Sequence, residues 1–226
     1  MLTISMAVYD RDPLCAERTL RALESIERYT SVKHEVILID NDSPCIRAFG
    51  KFSTTLGKSV LLPKNVGFGK AINLAWELKD EKCEWFAQMN SDCLLVEDTF
   101  AELIRVAEKH ELDVAFPDHT ENMELCGVKK ADELMQNGWR FGALWLARKE
   151  SLDRVTSADG HLFDPRFFCY FDDTDLWRRM EQAGMKLDGT RSTAVSHLGG
   201  GSGTPEFTAA IFAESKRLYE EKWGIA

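Results

Sequence analysis

Acidic side chains recur in short polar clusters that follow apolar runs, as at Asp40–Ser43 and Asn90–Asp92. For Asp92 the chemistry that suits the cluster is ligation of Mg²⁺ or Mn²⁺, because such hard cations bind carboxylate oxygens and substrate phosphates. The alternative is a turn or helix-cap aspartate, which is the commoner role of Asp at such positions. His197, after the strand-like residues 193–195, could complete the metal site, although a lone histidine is more often structural.

Asp172 and Asp173 stand side by side at the predicted start of a helix. The dipole at a helix N-terminus favours carboxylates, so the two residues could form a structural capping pair. They could equally supply a general base, because the aromatic run Phe167–Phe171 before them provides the apolar surroundings that raise the pKa of a carboxylate.

The acidic balance of the chain narrows the class of partner. The 226 residues carry a formal net charge of −9. Proteins that bind polyanions through phosphates usually present a basic face, so nucleic acid is an unfavourable partner. A small molecule that carries phosphate would have to be held locally, by a divalent cation, a helix N-terminus or loop amides.

No run approaches the roughly 18 consecutive apolar residues of a membrane-spanning helix, and Met1–Ala7 lacks the pattern of a signal peptide. We therefore expect a cytoplasmic protein without a transmembrane segment. The six cysteines are scattered and form no C-x-x-C pair, which indicates neither a disulfide framework nor a zinc knuckle.

Strands and helices alternate through the first half of the sequence. Apolar or alternating runs predict strands at residues 2–8, 34–39, 59–62, 84–89, 112–116 and 142–147. Helical spacing predicts helices after Pro13, after Gly69, after Asp98, at 172–182 and at 207–222. The alternation predicts one α/β domain, with a mainly parallel sheet covered by helices on both faces.

In open α/β sheets, ligands bind outside the carboxyl ends of the strands, and the polar clusters fall there. The residues at these ends include Tyr9, Asp40–Ser43, Asn65 and Asn90–Asp92. The segment Asn65–Lys70 contains G-x-G but is not a dinucleotide fingerprint. Ile72 stands in place of the third glycine, and the segment follows the third predicted strand instead of the first.

Taken in order, these segments resemble the family 2 glycosyltransferases of the GT-A fold, in particular the rhamnosyltransferase-like members. The matching segments are residues 36–43, 65–73, 88–92, 142–143, 163–164, 167–176 and 197–202. The ending, with Tyr219 and Lys222-Trp223-Gly224, is also similar to a common ending of the family. Several motifs in the same order are more specific than any one of them.

The resemblance implies an inverting, metal-dependent enzyme that moves a sugar from a UDP- or dTDP-sugar to a hydroxyl of a glycan, lipid-linked or other acceptor. It implies one GT-A domain over residues 1–226, with a nucleotide-sugar-binding half (1–116) and an acceptor-binding and catalytic half (117–226). The residues implied at the nucleotide sugar are Tyr9, Asp40, Asn41, Asn65, Gly67, Asn73, Asn90, Ser91 and Asp92. Asp92 and His197 would hold Mn²⁺ or Mg²⁺, and Asp173 would deprotonate the acceptor.

Two positions depart from the usual pattern of the family. Asn90 stands where many relatives have the first Asp of the D-x-D motif, and Asp172 replaces the more usual Glu. Both changes leave Asp92 and Asp173 in place.

Acceptor recognition is expected between residues 117 and 145. The candidate contacts to acceptor or sugar are Trp139, Arg140, Trp145 and Asp172. Aromatic residues in this stretch could equally belong to the core or to a dimer contact. The glycine-rich residues 199–204 could close over a diphosphate or form a surface linker.

Two other functions stay open on the sequence alone. A nucleotidyltransferase uses a similar sheet and a metal but needs basic residues at the triphosphate, and only Lys64 and Lys70 lie near the predicted nucleotide loop. The second alternative is a protein that binds a nucleotide sugar without catalysis. Asn90, in place of the first Asp of the D-x-D motif, is compatible with it.

Overall fold

The computed structural model describes residues 1–45, 57–120, 142–198 and 205–225. The strands are β1 (Leu2–Val8), β2 (His34–Asp40), β3 (Gly57–Leu61), β4 (Trp85–Met89), β5 (Cys93–Leu95), β6 (Val114–Thr120), β7 (Leu144–Arg148) and β8 (Leu187–His197). The helices are α1 (Pro13–Tyr29), α2 (Phe68–Leu78), α3 (Thr99–His110), α4 (Lys149–Asp159), α5 (Asp172–Gln182) and α6 (Pro205–Trp223).

Local sequence accounts for the first strand and helix. β1 is buried at every position except Ala7, because it lies between β2 and β4 and is parallel to both. α1 begins where the Asp12 carboxylate accepts hydrogen bonds from the N–H groups of Leu14 and Cys15, each at 3.0 Å. Pro13 at the first helical position brings a φ that already suits a helix.

The described residues form a sheet of eight strands in the order β3-β2-β1-β4-β7-β6-β8-β5. The strands β3, β2, β1 and β4 are parallel, whereas β7 runs antiparallel to β4 and β6, and β5 runs antiparallel to β8. Because β6 and β8 are parallel, β8 ends on the same side of the sheet as β1, β2 and β4. We call this side the carboxyl edge, and β7 and β5 begin there.

Helices cover both faces of the sheet, as predicted. On one face α1 and α3 bury Ile26 and Phe100 against the strands. On the other face α2, α4 and α5 bury Ile72, Leu152 and Leu176. No helix within the described ranges is long and apolar enough to cross a membrane.

The structure departs furthest from the sequence prediction at β5, α4, β6 and β8. β5 has three residues, too few for a periodic pattern, and α4 has no side-chain N-cap that would signal its start. β8 has eleven residues, of which only 193–195 read as a strand. β6 continues past Pro117 through a register shift, which removes the need for a backbone donor at the proline.

Candidate active site

A buried hydrogen-bond network lies where β1 and β2 end. Ser43 N–H donates to Asp40 Oδ1 at 2.8 Å, and Asp10 N–H donates to Ser43 Oγ at 2.8 Å. Burial raises the pKa of Asp10 to about 6, although the Thr19 hydroxyl donates to its carboxylate at 2.6 Å. The network holds Asp40 at the carboxyl edge beside half-buried Tyr9. Contact of either residue with a nucleotide is still a prediction.

Asn41 shapes the loop that leads into α2. Its Oδ1 accepts from Val66 N–H at 2.8 Å, and its Nδ2 donates to Gly67 O at 3.1 Å. Asn65 Oδ1 accepts from Gly67 N–H at 2.9 Å within the same loop. The structure therefore gives both amides a role in loop shape, while the nucleotide contacts expected of Asn41, Asn65 and Gly67 are not tested by it.

Two contacts fasten this loop and α2 to the segment before α5. Phe68 N–H donates to Phe168 O at 2.7 Å, and Gly67, at φ +94°, lies so close that an added Cβ would be 3.0 Å from Phe168 Cα. The Asn73 amide donates to Phe163 O at 2.8 Å and accepts from Phe163 N–H at 2.7 Å. The predicted nucleotide loop and the approach to Asp172 are thus joined through backbone hydrogen bonds.

Asp92 and His197 are far apart in sequence and adjacent in the structure. Asp92 Oδ1 lies 3.2 Å from His197 Nε2, and their side chains are 20% and 21% exposed. Leu198 N–H donates to Asp92 O at 3.0 Å, which fixes the end of β8 against the turn before β5. The two predicted metal ligands therefore share one solvent-accessible corner of the carboxyl edge.

The side chains at this corner fit a divalent cation. Asp92, Cys93 and His197 each offer a ligand atom within 4.8 Å of the others. A carboxylate oxygen and an imidazole nitrogen both suit Mn²⁺, and partial exposure leaves room for phosphate oxygens. Burial raises the pKa of the Cys93 thiol well above its usual range, and this thiol donates to Ala143 O at 3.5 Å.

Asn90 contacts the protein through its backbone N–H and its side-chain Oδ1. Its N–H donates to Ala143 O at 2.7 Å, and its Oδ1 accepts from Gln88 Nε2 at 2.8 Å. Ser91 is half-buried in the same turn. The amide thus orients the turn that carries Asp92, and contact of Asn90 or Ser91 with a nucleotide sugar is an open prediction.

Asp172 and Asp173 occupy the first two positions of α5 in different surroundings. Asp172 is 3% exposed, and its Oδ2 has no hydrogen-bond partner among the described residues. Burial, reinforced by the charge of Asp173, raises the pKa of Asp172 to about 7. Asp173 is half-buried, and burial raises its pKa although Thr174 N–H donates to its Oδ1 at 2.7 Å. Asp173 is therefore the more accessible carboxylate of the pair.

The dipeptide Gly142-Ala143 lies between Asp172 and Asp173, which we call the acid pair, and the corner formed by Asp92 and His197. A Cβ on Gly142 would overlap Asp173 Oδ2 and lie 3.1 Å from Asp173 Cγ, so the absence of a side chain permits this approach. Ala143 O accepts the N–H of Asn90, in the turn that carries Asp92. Asp173 and Asp92 are thus brought to neighbouring positions along the carboxyl edge.

The backbone that enters α5 is strained. Tyr170 and Phe171 have φ of +66° and +58°, and the helix begins without a side-chain N-cap. Left-handed conformations of non-glycine residues cost of order 1–3 kcal/mol each and persist where surrounding structure imposes them. Tertiary contacts must therefore hold the first turn, and with it Asp173.

The prediction that Trp145 contacts the acceptor is wrong. Trp145 is 0% exposed and packs edge-on against Trp177, with ring centroids 5.2 Å apart. It lies on β7, between β4 and β6 and under helices, so the alternative of a core residue is the correct one. Asp172 is likewise too buried to touch a sugar directly in this structure. Trp139, Arg140 and residues 199–204 lie outside the described ranges.

Sequence reasoning assigned no role to Asp175, which is 0% exposed on α5. Its carboxylate accepts from Arg179 Nε at 2.9 Å and from Trp223 Nε1 at 3.0 Å. The ending Lys222-Trp223-Gly224 was noted as a motif, but a motif at the end of the chain does not reveal its partner. Only the fold identifies that partner as the helix of the acid pair.

Solved structures with a similar fold include those of S. aureus TarS. TarS 1–349 in complex with UDP gives a TM-score of 0.66 at 16% identity, covering 97% of this chain and 70% of that chain. A longer TarS structure gives 0.69 at 17% identity, covering 98% and 39%. TarS 1–349 in complex with UDP-GlcNAc gives 0.64 at 16% identity, covering 96% and 65%. This chain thus spans less than half of the longer TarS, and at these identities the likeness shows the fold.

The mostly parallel sheet with helices on both faces is the Rossmann-like GT-A fold, which places the protein in the class of GT-A glycosyltransferases. The family model described as Glycosyl transferase family 2 matches residues 3–178. The chain belongs to glycosyltransferase family 2, as its motifs predicted. No curated protein sequence matches it significantly.

Proposed function

We propose that this chain is an inverting, metal-dependent hexosyltransferase that moves a sugar from a UDP- or dTDP-sugar to an acceptor hydroxyl. Asp173 is the general base, and Asp92 and His197 are the cation ligands. The resemblance to rhamnosyltransferase-like members supports dTDP-sugars as donors. The UDP and UDP-GlcNAc bound to TarS support UDP-sugars.

The approach of Asp173 to Gly142 is the observation that carries the proposal. Asp173 is a half-buried carboxylate next to Gly142, and the adjacent Ala143 accepts the N–H of Asn90, in the turn that carries Asp92. A base needs such a position relative to a donor diphosphate. Burial raises the pKa of Asp173, which strengthens its carboxylate as a base.

The reaction follows from these placements. Asp173 takes the proton of the acceptor hydroxyl as the hydroxyl oxygen forms a bond to the anomeric carbon. The bond from that carbon to the diphosphate oxygen breaks on the opposite face, and the electron pair leaves with the nucleoside diphosphate. A single displacement of this kind inverts the anomeric configuration.

Asp92 and His197 would hold the divalent cation. When bound, such a cation supplies Lewis acidity that stabilises the charge developing on the diphosphate. The corner formed by Asp92 and His197 is accessible from solvent, and the chain carries a formal net charge of −9.

Nucleoside diphosphate release from UDP- and dTDP-sugars with Mn²⁺ tests the function. We expect release by the unsubstituted chain and loss of at least about 100-fold in Asp173→Asn, since general-base catalysis contributes about 10²–10⁴-fold. Asp153→Asn, with a 44% exposed side chain on α4, is the matched control and should release at the normal rate.

Each part of the proposal has its own contrary result. Pyrophosphate in place of the diphosphate would indicate nucleotidyl transfer. Normal release by Asp173→Asn would contradict the assignment of Asp173 as the base. Equal release with Mn²⁺ and with a chelator would contradict the dependence on a metal. Nucleotide binding by Asp173→Asn should stay intact, which a thermal-shift titration with UDP and Mn²⁺ can verify, since ligand at 100 times Kd stabilises by about 2.7 kcal/mol.

A further inference from the structure

α6 is fastened to α5 near the C-terminal end of the chain. Lys222 Nζ lies 2.7 Å from Asp175 Oδ1 and 2.8 Å from Asp164 Oδ2. Trp223 Nε1 donates to Asp175 Oδ1 at 3.0 Å. Ser215 is the fully buried residue of this helix, and its hydroxyl donates to Cys169 O at 2.7 Å. Lys222 and Trp223 therefore bind α5, the helix that begins with Asp172 and Asp173.

The contacts of Lys222 and Trp223 with Asp175 stabilise the first turn of α5. Asp175 N–H donates to Phe171 O at 2.8 Å, and Asp175 is only two residues after Asp173. No side chain caps this helix, and the residue before it has a left-handed backbone. The carboxylates of Asp172 and Asp173 accept hydrogen bonds from N–H groups of the same turn, so these contacts are internal to it. Lys222 and Trp223 connect the turn to α6 through the buried carboxylate of Asp175.

The ammonium group of Lys222 also contacts Asp164, in a segment that is bound to the predicted nucleotide helix α2. Asp164 is 3% exposed and follows Phe163, whose backbone is held on both polar atoms by Asn73 of α2. Lys222 Nζ therefore bridges the acid-pair helix and a segment that is fixed to the predicted nucleotide helix. Lys222 therefore adds to the hydrogen bond from Phe68 N–H to Phe168 O as a contact that joins the two halves of the site.

We infer that Lys222 and Trp223 are positioning residues for transfer: they hold the first turn of α5 so that Asp173 meets the acceptor hydroxyl at the correct distance from the donor. The inference rests on the proposed role of Asp173 as base. Neither residue touches the substrate in this scheme.

The ion pairs around Lys222 show why its loss should leave the fold intact. Without Lys222, Asp164 keeps Arg166, whose Nη2 lies 2.6 Å from its Oδ2. Asp175 keeps Arg179, whose Nε lies 2.9 Å from its Oδ2. Asp164 and Asp175 each retain one cationic partner. A variant without Lys222 therefore loses the bridge between the two carboxylates, while the charge of each carboxylate stays paired.

Lys222→Met is the test, and Lys216→Met on the same helix is the matched control. Lys216 Nζ pairs with Glu220 at 3.5 Å on the exposed side of α6, away from Asp175. We expect Lys222→Met to lower nucleoside diphosphate release about 10- to 100-fold, because misplacement of about 1 Å has effects of this size. UDP affinity should change less than about twofold, and amide hydrogen exchange of residues 172–175 should be faster by about tenfold.

Two further variants separate positioning from packing. Lys222→Arg keeps a cation at the bridge and should restore most of the release. Trp223→Phe removes the indole N–H together with the smaller ring of the indole, but it keeps an aromatic ring near the guanidinium of Arg178, which now lies 4.4 Å from the Trp223 ring. It should therefore lower release without lowering the unfolding temperature.

The inference fails if Lys222→Met matches Lys216→Met in release and in exchange at residues 172–175. It also fails if release and UDP affinity fall together with global stability, since that pattern indicates loss of fold. Absence of release by the unsubstituted chain would contradict the proposed function instead. In that case the exchange comparison still decides whether Lys222 holds the first turn of α5.

Discussion

Asp172 is predicted to destabilise the folded chain at neutral pH, and Asp172→Asn should therefore stabilise it. The side chain is 3% exposed, and its Oδ2 lacks a hydrogen-bond partner among the described residues. Its Oδ1 accepts from Asp173 N–H at 3.1 Å, and an asparagine can keep that acceptor. The substitution thus removes a buried charge with little change of shape.

The size and the pH range follow from the raised pKa. Burial raises the pKa of Asp172 from 3.8 to about 7, so the folded chain binds more protons than the unfolded chain between these values. The free energy of unfolding must then fall as pH rises through this window and level off above it. A shift of about three units corresponds to at most about 4 kcal/mol, because each unit is worth about 1.4 kcal/mol.

Urea unfolding of both proteins at about pH 4, pH 6 and pH 8 measures this difference. Asp172→Asn should match the unsubstituted chain at the lowest pH and exceed it increasingly towards pH 8. The raised pKa of Asp10 affects both proteins and cancels in the comparison. Glu17→Gln, an exposed carboxyl on α1, should show no such trend. A constant difference at all three pH values would refute the assignment of a buried, titrating carboxyl at Asp172.

Two other substitutions test the geometry of the site. Gly142→Ala should lower nucleoside diphosphate release about 100-fold with UDP affinity retained, because the new methyl group occupies the space of Asp173 Oδ2; normal release would show that this approach does not matter. Trp145→Ala should reduce the free energy of unfolding by about 3–5 kcal/mol in urea titrations, as expected of a fully buried aromatic residue. A loss of activity with unchanged stability would instead favour the rejected acceptor contact.

The first half of the fold could be predicted from the sequence because its signals are local. Asp12-Pro13 marks a helix start, the continuous apolar run of β2 marks a buried parallel strand, and Asp98 caps α3. These signals depend on residues within a few positions of one another. The α/β class and the family follow from them and from the order of the motifs.

The sequence indicates the candidate residues of the site, but it does not predict their surroundings. Asp92, His197 and Asp173 stood out by residue type and motif. Residue type and motif did not show that Asp172 is buried while Asp173 is accessible. Trp145 illustrates the same limit, since an aromatic residue reads alike on a binding surface and in a core.

Sequence alone determined the α/β class, the family and the candidate side chains, because helix caps, strand runs and motifs are encoded by neighbours along the chain. Tertiary structure alone decided which of those side chains meet. The pairing of β5 with β8 brings His197 to Asp92, Gly142 admits Asp173, and Lys222 reaches Asp175. Burial, and the pKa values that follow from it, depend on atoms contributed by distant segments, so they are properties of the packed fold.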